Sequence, residues 1–337
     1  MQQETLMTTL PNRWTTGLAA LAAACALVAC GGGGNDSGAT TAASNPAPIM
    51  LPSGPAPTST EAGAPASVGN VAIDGRNWIN FRRSQIGMPL MTQNALVDRA
   101  AQAHSDYQRI NDTITHDEIA GKSGFTGVDL LARLNQAGYS VVRPYAYGEV
   151  ISATSSNSGF YMADELITAI YHRFVIFEPM FKEIGTGSGT TAKNYTYFTA
   201  DFSASNGFGA GLGRGVVVTW PYNGQTSVTP NFFSDYEEPD PVPDRNEVGY
   251  PVSVHADITA SLTVRSFTIR PRGGAELAVN LLEHNTDTKT PASAAAIVPR
   301  EPLKAKTTYD VSFTGDVGSS GVANTLPVSK TWSFTTK

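Results

Sequence analysis

The chain has 337 residues, 41% hydrophobic and 15% charged, with a formal net charge of −6 at pH 7. That length suits roughly two globular domains, and the acidic balance, with no run of Lys and Arg, excludes a nucleic-acid groove. Both cysteines, Cys25 and Cys30, precede residue 31, so neither a disulfide framework nor a thiolate metal site is available downstream.

Arg13 precedes an apolar stretch over 18–29 that is too short to span a bilayer as a permanent helix. It ends in Leu27-Val28-Ala29-Cys30, which resembles a bacterial lipobox. The resemblance implies a signal peptide over 1–29 and acylation of Cys30, palmitate included, so that the lipid holds the protein on a membrane. An ordinary secretory leader cut near Ala29 is the alternative. Gly31, rather than Asp, follows the cysteine, which in lipoproteins of this kind implies the outer membrane, periplasmic or surface-facing. Residues 31–67 are mostly Gly, Ala, Pro, Ser and Thr and cannot offset their ordering entropy. The lipidated cysteine and a disordered linker are assigned to 30–85.

A first folded unit is assigned to 86–220. Leu96, Ala100, Ala103 and Tyr107 recur on one face of a helix predicted over 94–111, and His104 at the edge of that stripe reads as a packing residue. A second helix is predicted over 128–137, with Leu130, Leu131 and Leu134 apolar and Gly138 placed just past its end. A third is predicted over 161–176. Met162, Leu166, Ile170 and Phe174 share one face, and Glu165, Thr168 and His172 another. Strands are predicted over 141–146, 195–202 and 215–220. Helices and strands without regular βαβ alternation point to an α+β layer fold. The glycines between Gly207 and Gly215 precede a strand and read as a turn, not as a phosphate loop.

In chain order the unit carries Ala101-x-x-His104-x-x-Tyr107, then His116, Gly138-Tyr139, Tyr147-Gly148-Glu149, His172-Arg173 and Pro179-x-Phe181-x-x-Ile184-Gly185-x-Gly187. This order resembles the CAP superfamily of cysteine-rich secretory, antigen 5 and pathogenesis-related proteins, in its bacterial branch without disulfides. The resemblance implies an α-β-α sandwich with a cleft that holds two His and two acidic residues. His116, Glu149 and His172 match three of the four. No acidic residue lies between Glu165 and His172, and those two are about 10 Å apart along a helix axis. Val150 stands where the family has Asn.

Two imidazoles and a carboxylate that converge in a cleft can bind Zn2+ or another divalent cation through N and O ligands. The alternative is a buried polar network in which Glu149 orients both rings and no metal binds. His116, Glu149 and His172 are also the candidates for acid–base or hydrolytic chemistry on peptides or envelope polymers. However, the chain has no His-Glu-x-x-His or Gly-x-Ser-x-Gly, and Ser123, Ser152 and Ser155 merely lie near the motifs. His255 and His284 have no motif around them. Arg173 is expected to pair with a carboxylate.

Over 221–337 the pattern changes. Leu277, Val279 and Leu281 alternate, as do Tyr309, Val311 and Phe313, then Trp332 and Phe334, which predicts an antiparallel β-sandwich. Thr307-Thr308-Tyr309-Asp310-Val311 and Trp332-Ser333-Phe334-Thr335-Thr336 resemble the end of bacterial Ig-like domains, which implies a spacer or adhesive support. Taken together, the sequence predicts a lipid-anchored envelope protein whose cleft captures a lipid, a peptidoglycan or peptide fragment, or a metal. A hydrolase using the same cleft, or an adhesion protein with a vestigial one, is the alternative.

Overall fold

The computed structural model describes residues 2–9 and 61–337, and side chains from 61 onward. The expected lipobox with Cys30, and the low-complexity run up to residue 60, lie outside the described residues. The elements in chain order are β1 (Gln2–Thr9), α1 (Val71–Gln85), β2 (Thr92–Gln93), α2 (Ala95–Asn111), α3 (Leu130–Gln136), β3 (Tyr145–Thr154), α4 (Gly159–Thr168), α5 (Ile170–Ile176), β4 (Glu183–Thr190) and β5 (Thr196–Ala204). There follow β6 (Val218–Trp220), β7 (Asn231–Phe233), β8 (Glu237–Glu238), β9 (Glu247–Gly249), β10 (Val252–His255), β11 (Ala260–Pro271), β12 (Val279–Glu283), β13 (Ala294–Pro299), β14 (Thr308–Ser319) and β15 (Val322–Thr335).

Short polar side chains set the helix starts by accepting otherwise orphaned backbone N–H groups. Asn70 caps α1, Asn94 caps α2, Asp129 caps α3 and Ser158 caps α4. Helix α1 is a correction to the linker assignment. Residues 71–85 are a packed helix, whose Trp78, Ile79 and Arg83 are fully buried. Its apolar residues are too widely interrupted by Asn and Arg for periodicity to disclose it.

The first sheet has the order β2-β4-β5-β3-β1-β8, with β4, β5, β3 and β1 running antiparallel in turn. Helix α2 lies on one face. Gly185 and Gly187 in β4 let it approach, because a Cβ at these positions would come within 2.2 Å of Asp98 N and 2.3 Å of Gln102 Cα. Val97, Ala100, Leu130, Leu134, Tyr139 and Tyr147 pack together there, joining α2 and α3 to the sheet. On the other face Trp78, Ile79, Met162 and Leu166 of α1 and α4 cover Val150, Phe198 and Phe202. Each such fully buried large side chain contributes roughly 1.5–3 kcal/mol relative to exposure. Helices on both faces of one sheet make an α-β-α arrangement.

Downstream, β12-β13-β10-β6 and β11-β14-β15 are two antiparallel sheets, a pattern that fits a β-sandwich. Trp220, Val254, Ile297, Ile269, Phe313, Trp332 and Phe334 fill the space between them. The apolar core continues without a break from Trp78 to Phe334. Strand β6, expected to close the first unit, pairs with β10 in the second, with Trp220 opposite Ser253. Among the described residues no helix is long and apolar enough to cross a membrane.

Candidate functional site

The region around His116 is built from α2 outward. The buried His104 shares a hydrogen bond between Nδ1 and Glu118 Oε1 at 2.9 Å and donates through Nε2 to the carbonyl of Thr115 at 2.7 Å. Tyr107 Oη accepts from the N–H of Ile119, while Glu118 accepts from the N–H groups of Thr126 and Gly127. His104 and Tyr107 therefore clamp the loop that carries His116, which explains the His-x-x-Tyr spacing on α2. Burial would raise Glu118, but the His104 bond and the Thr126 N–H bring it below the usual carboxylate range.

His116 Nδ1–H donates to Glu149 Oε1 at 2.7 Å. Glu149 projects from β3 and is fully buried. Arg133 of α3 donates to both oxygens of Glu149 at 2.7 Å and to the carbonyl of His116 at 2.6 Å. Burial alone would raise the Glu149 carboxyl, but Arg133, followed by the imidazoles of His104 and His116, holds it well below the usual range. Burial lowers His116 more than its bond to Glu149 raises it, and the charges of His172 and His104 lower it further. The ring is neutral near pH 7.

Asp201 of β5 lies across the ladder from Glu149. Burial first, and then the Glu149 charge, push its pKa well above the normal carboxylate range. A protonated Asp201 is what such a position tolerates, because like charges side by side cannot both ionise.

The helix predicted over 161–176 is two helices, α4 and α5, broken at Ala169 (φ −68°, ψ 122°). A carboxylate from far downstream seals the break. Glu237 accepts from the N–H groups of Ile170, Tyr171 and His172, and His172 Nδ1–H donates to Glu237 Oε1 at 2.9 Å. An anion on three N–H groups of a helix start is electrostatically favoured. Glu237 is thus the acidic partner that no residue between 165 and 172 supplies. Glu165 is bonded to neither imidazole, and burial pushes it up to about 7.

In both rings Nδ1 faces a carboxylate, so Nε2 is the nitrogen turned away from it. The Nε2 atoms of His116 and His172 are buried and have no hydrogen-bond partner. His104 contrasts with them, since both its nitrogens are occupied. Among the described residues no group of three or more His, Cys, Asp or Glu side chains is gathered to hold a metal ion. The oxygens of Glu149 are already engaged by Arg133 and His116. What the arrangement offers is two imidazole donors, each oriented by a carboxylate behind it, a support often found behind metal-binding histidines.

Of the remaining candidates, Ser152 is buried within β3, Ser123 and Ser155 are exposed, and none of them bonds to these imidazoles. His255 is buried against Phe174 and Phe177 and shares a hydrogen bond with Ser253, while His284 donates to the carbonyl of Thr290. Arg173 is a correction. It donates to the carbonyls of Ile167, Pro251 and Thr168 and to Ser253 Oγ, and lies over the Tyr250 ring, instead of pairing with a carboxylate. Its planar fork suits a cluster of carbonyls as well as an acid. Arg133 had one signal in the sequence, a cation beside Leu134 on the apolar stripe of its helix. Glu237 had none, because it sits in a Pro- and acid-rich stretch that reads as loop.

The fold thus places the imidazoles in a three-layer α-β-α unit joined to an all-β region. Residues 77–202 match the family described as CAP, the cysteine-rich secretory protein family. The matched span contains His116, Arg133, Glu149 and His172 and ends before Glu237. Two solved structures are similar. One, an extracellular protein containing an SCP domain from Bacillus anthracis, shares 20% identity over 39% of this chain and 39% of that chain, with a TM-score of 0.33. The other, an outer surface protein from Borrelia burgdorferi, shares 14% identity over 39% of this chain and 90% of that chain, also with a TM-score of 0.33. The chain therefore spans well under half the length of the first. No curated protein matches the sequence.

Proposed function

We propose that the protein is an extracytoplasmic, lipid-anchored protein of the bacterial envelope whose CAP-type unit captures a ligand beside His116 and His172. The anchor is Cys30 after removal of residues 1–29, in the outer membrane, and the downstream Ig-like sandwich acts as a structural support. The matched family, one of secretory proteins, agrees with a site outside the cytoplasm.

The observation that carries the reading is the pair of buried, unpartnered Nε2 atoms. Buried polar atoms normally have a partner, and unpaired ones cost about 1–3 kcal/mol each. Two of the same kind, each on a ring held by its own carboxylate, fit a ligand that accepts lone pairs. A divalent cation such as Zn2+ is the simplest, with water or a captured group completing its shell. When bound, it supplies a Lewis acid. Glu149 and Glu237 fix ring orientation and tautomer, and Arg133 keeps Glu149 ionised.

Titration calorimetry with Zn2+ on the wild type and on His172→Ala tests this. Saturable binding at about one ion per chain, lost in the variant and weakened at acid pH as protons compete for the ligand nitrogens, is expected. Indistinguishable titrations overturn it.

A further inference from the structure

The sheet order contains a strand from an unexpected place. Strand β1, residues 2–9, is inserted between β3 and β8, and these are the strands that carry Glu149 and Glu237. It runs antiparallel to β3 over seven residue pairs, from Gln3 opposite Ile151 to Thr9 opposite Tyr145, with Thr5 opposite Glu149. It runs parallel to β8, with Gln2 opposite Glu237 and Gln3 opposite Glu238. Helix α5, which carries His172, lies against it. Strand β1 thus passes between the two carboxylates that orient the imidazoles.

If residues 1–29 are removed, as the anchor reading requires, this strand leaves with them. With β1 paired to it, residues 146–154 of β3 are buried throughout. Once β1 leaves, the backbone N–H and C=O groups that β3 turned toward it lose their partners, and such an open strand edge favours pairing with another chain. We propose that this slot in the processed protein binds an extended peptide in trans, antiparallel to β3 and about seven residues long. The inference rests on the capture function proposed above and names its ligand class. Recognition is through the backbone ladder and is therefore tolerant of sequence. Because side chains alternate between faces of a sheet, every second peptide residue falls on the face that holds Tyr147 and Glu149, next to the His116 site.

The test uses the full chain with a protease site inserted between residues 31 and 60. Before cutting, the chain's own residues 2–9 occupy the slot at high effective concentration. After cutting they can exchange. A fluorescein-labelled peptide of residues 2–9 is added before and after cutting, and its anisotropy is measured, with circular dichroism confirming that the cut chain stays folded. Saturable binding at least tenfold tighter after cutting is expected, and a scrambled peptide of the same composition should retain it within a few fold. Peptides N-methylated at alternate residues give the sharper readout. Methylating the set that donates to β3 should abolish binding, and methylating the other set should leave it. No uptake by the cut chain, or equal binding of both methylated sets, overturns the proposal. The intact mass of protein extracted from membranes reports the processing step separately. A retained leader overturns both the anchor and occupancy in trans, whereas a removed leader with no peptide uptake overturns the slot alone.

Discussion

The two imidazoles are held by the same device built in two ways. His116 leans on Glu149, which is clamped by the guanidinium of Arg133. His172 leans on Glu237, which is clamped by three backbone N–H groups at the start of α5. In the first arm a side-chain cation holds the carboxylate in place, and in the second the backbone does. The difference teaches where each arm is vulnerable. The first depends on a buried ion pair, the second on the break between α4 and α5.

The largest effect is expected from Glu149→Ala. It strands the buried Arg133 and frees His116, and breaking a buried pair from one side costs about 3–5 kcal/mol. Urea unfolding should show a stability lowered by that amount and a correspondingly lower midpoint, and a wild-type midpoint would show that Arg133 does not need its partner. Glu237→Ala should cost less, roughly 1–2 kcal/mol, the scale of a lost helix cap. Its clearer signature is faster hydrogen exchange at Ile170, Tyr171 and His172 with the exchange of α2 unchanged.

The pH dependence separates the arms further. The pKa of His116 is lowered in the folded state, so the unfolded chain takes up a proton first, and stability falls as pH drops below about 6.5. The carboxyl of Glu149 is also depressed, so its contribution is present above its ordinary value and lost as pH falls below about 4.5. Burial also lowers the pKa of His255, so His116→Gln should shrink the upper step of a melting-temperature profile without abolishing it, and spare the lower one. An upper step of unchanged size contradicts the assignment.

A third carboxylate supplies the smallest test. Glu178, between the first unit and the sandwich, accepts from the N–H groups of Met180 and Ile258 but has no cation directly on it. Burial pushes it up to about 8 against these bonds and the more distant Arg83. A raised carboxyl contributes stability below about pH 4.5 that is lost as pH rises to about 8. Glu178→Gln should therefore melt a few degrees higher than wild type at pH 9, at roughly 2–4 °C per kcal/mol, and about equally at pH 4. A loss at both pH values would make Glu178 a structural anion after all.

Local signals were readable where one element makes its own pattern. The helix at 95–111 follows its predicted stripe in part, with Ala100 and Tyr107 buried and Leu96 and Ala103 half-buried, and Tyr309, Val311, Phe313, Trp332 and Phe334 alternate inward as their spacing predicts. The alternation at Leu277, Val279 and Leu281 misleads, because Leu281 is exposed and the inward residue is Leu282, opposite Ala296. The predicted strand at 141–146 begins later, at Tyr145, and runs to Thr154. The order of short motifs singles out His116, Glu149 and His172, and the structure pairs His116 with Glu149 but His172 with Glu237. Their supports were not legible. Arg133 hides in a helix stripe, and Glu237 reaches back 65 residues to His172. Long-range capping of this kind leaves no periodic trace in the chain.

Tautomer state tests the whole account most directly. Long-range 15N–1H correlation on the protein at pH 7.5 reads which nitrogen of each histidine carries the proton. His116 and His172 should both be protonated at Nδ1, and stoichiometric Zn2+ should shift the Nε2 resonances of these two rings while leaving His104 unmoved. A proton on Nε2 of either ring, or a zinc response confined to one of them, would contradict the proposal that two carboxylate-held donors share one ligand.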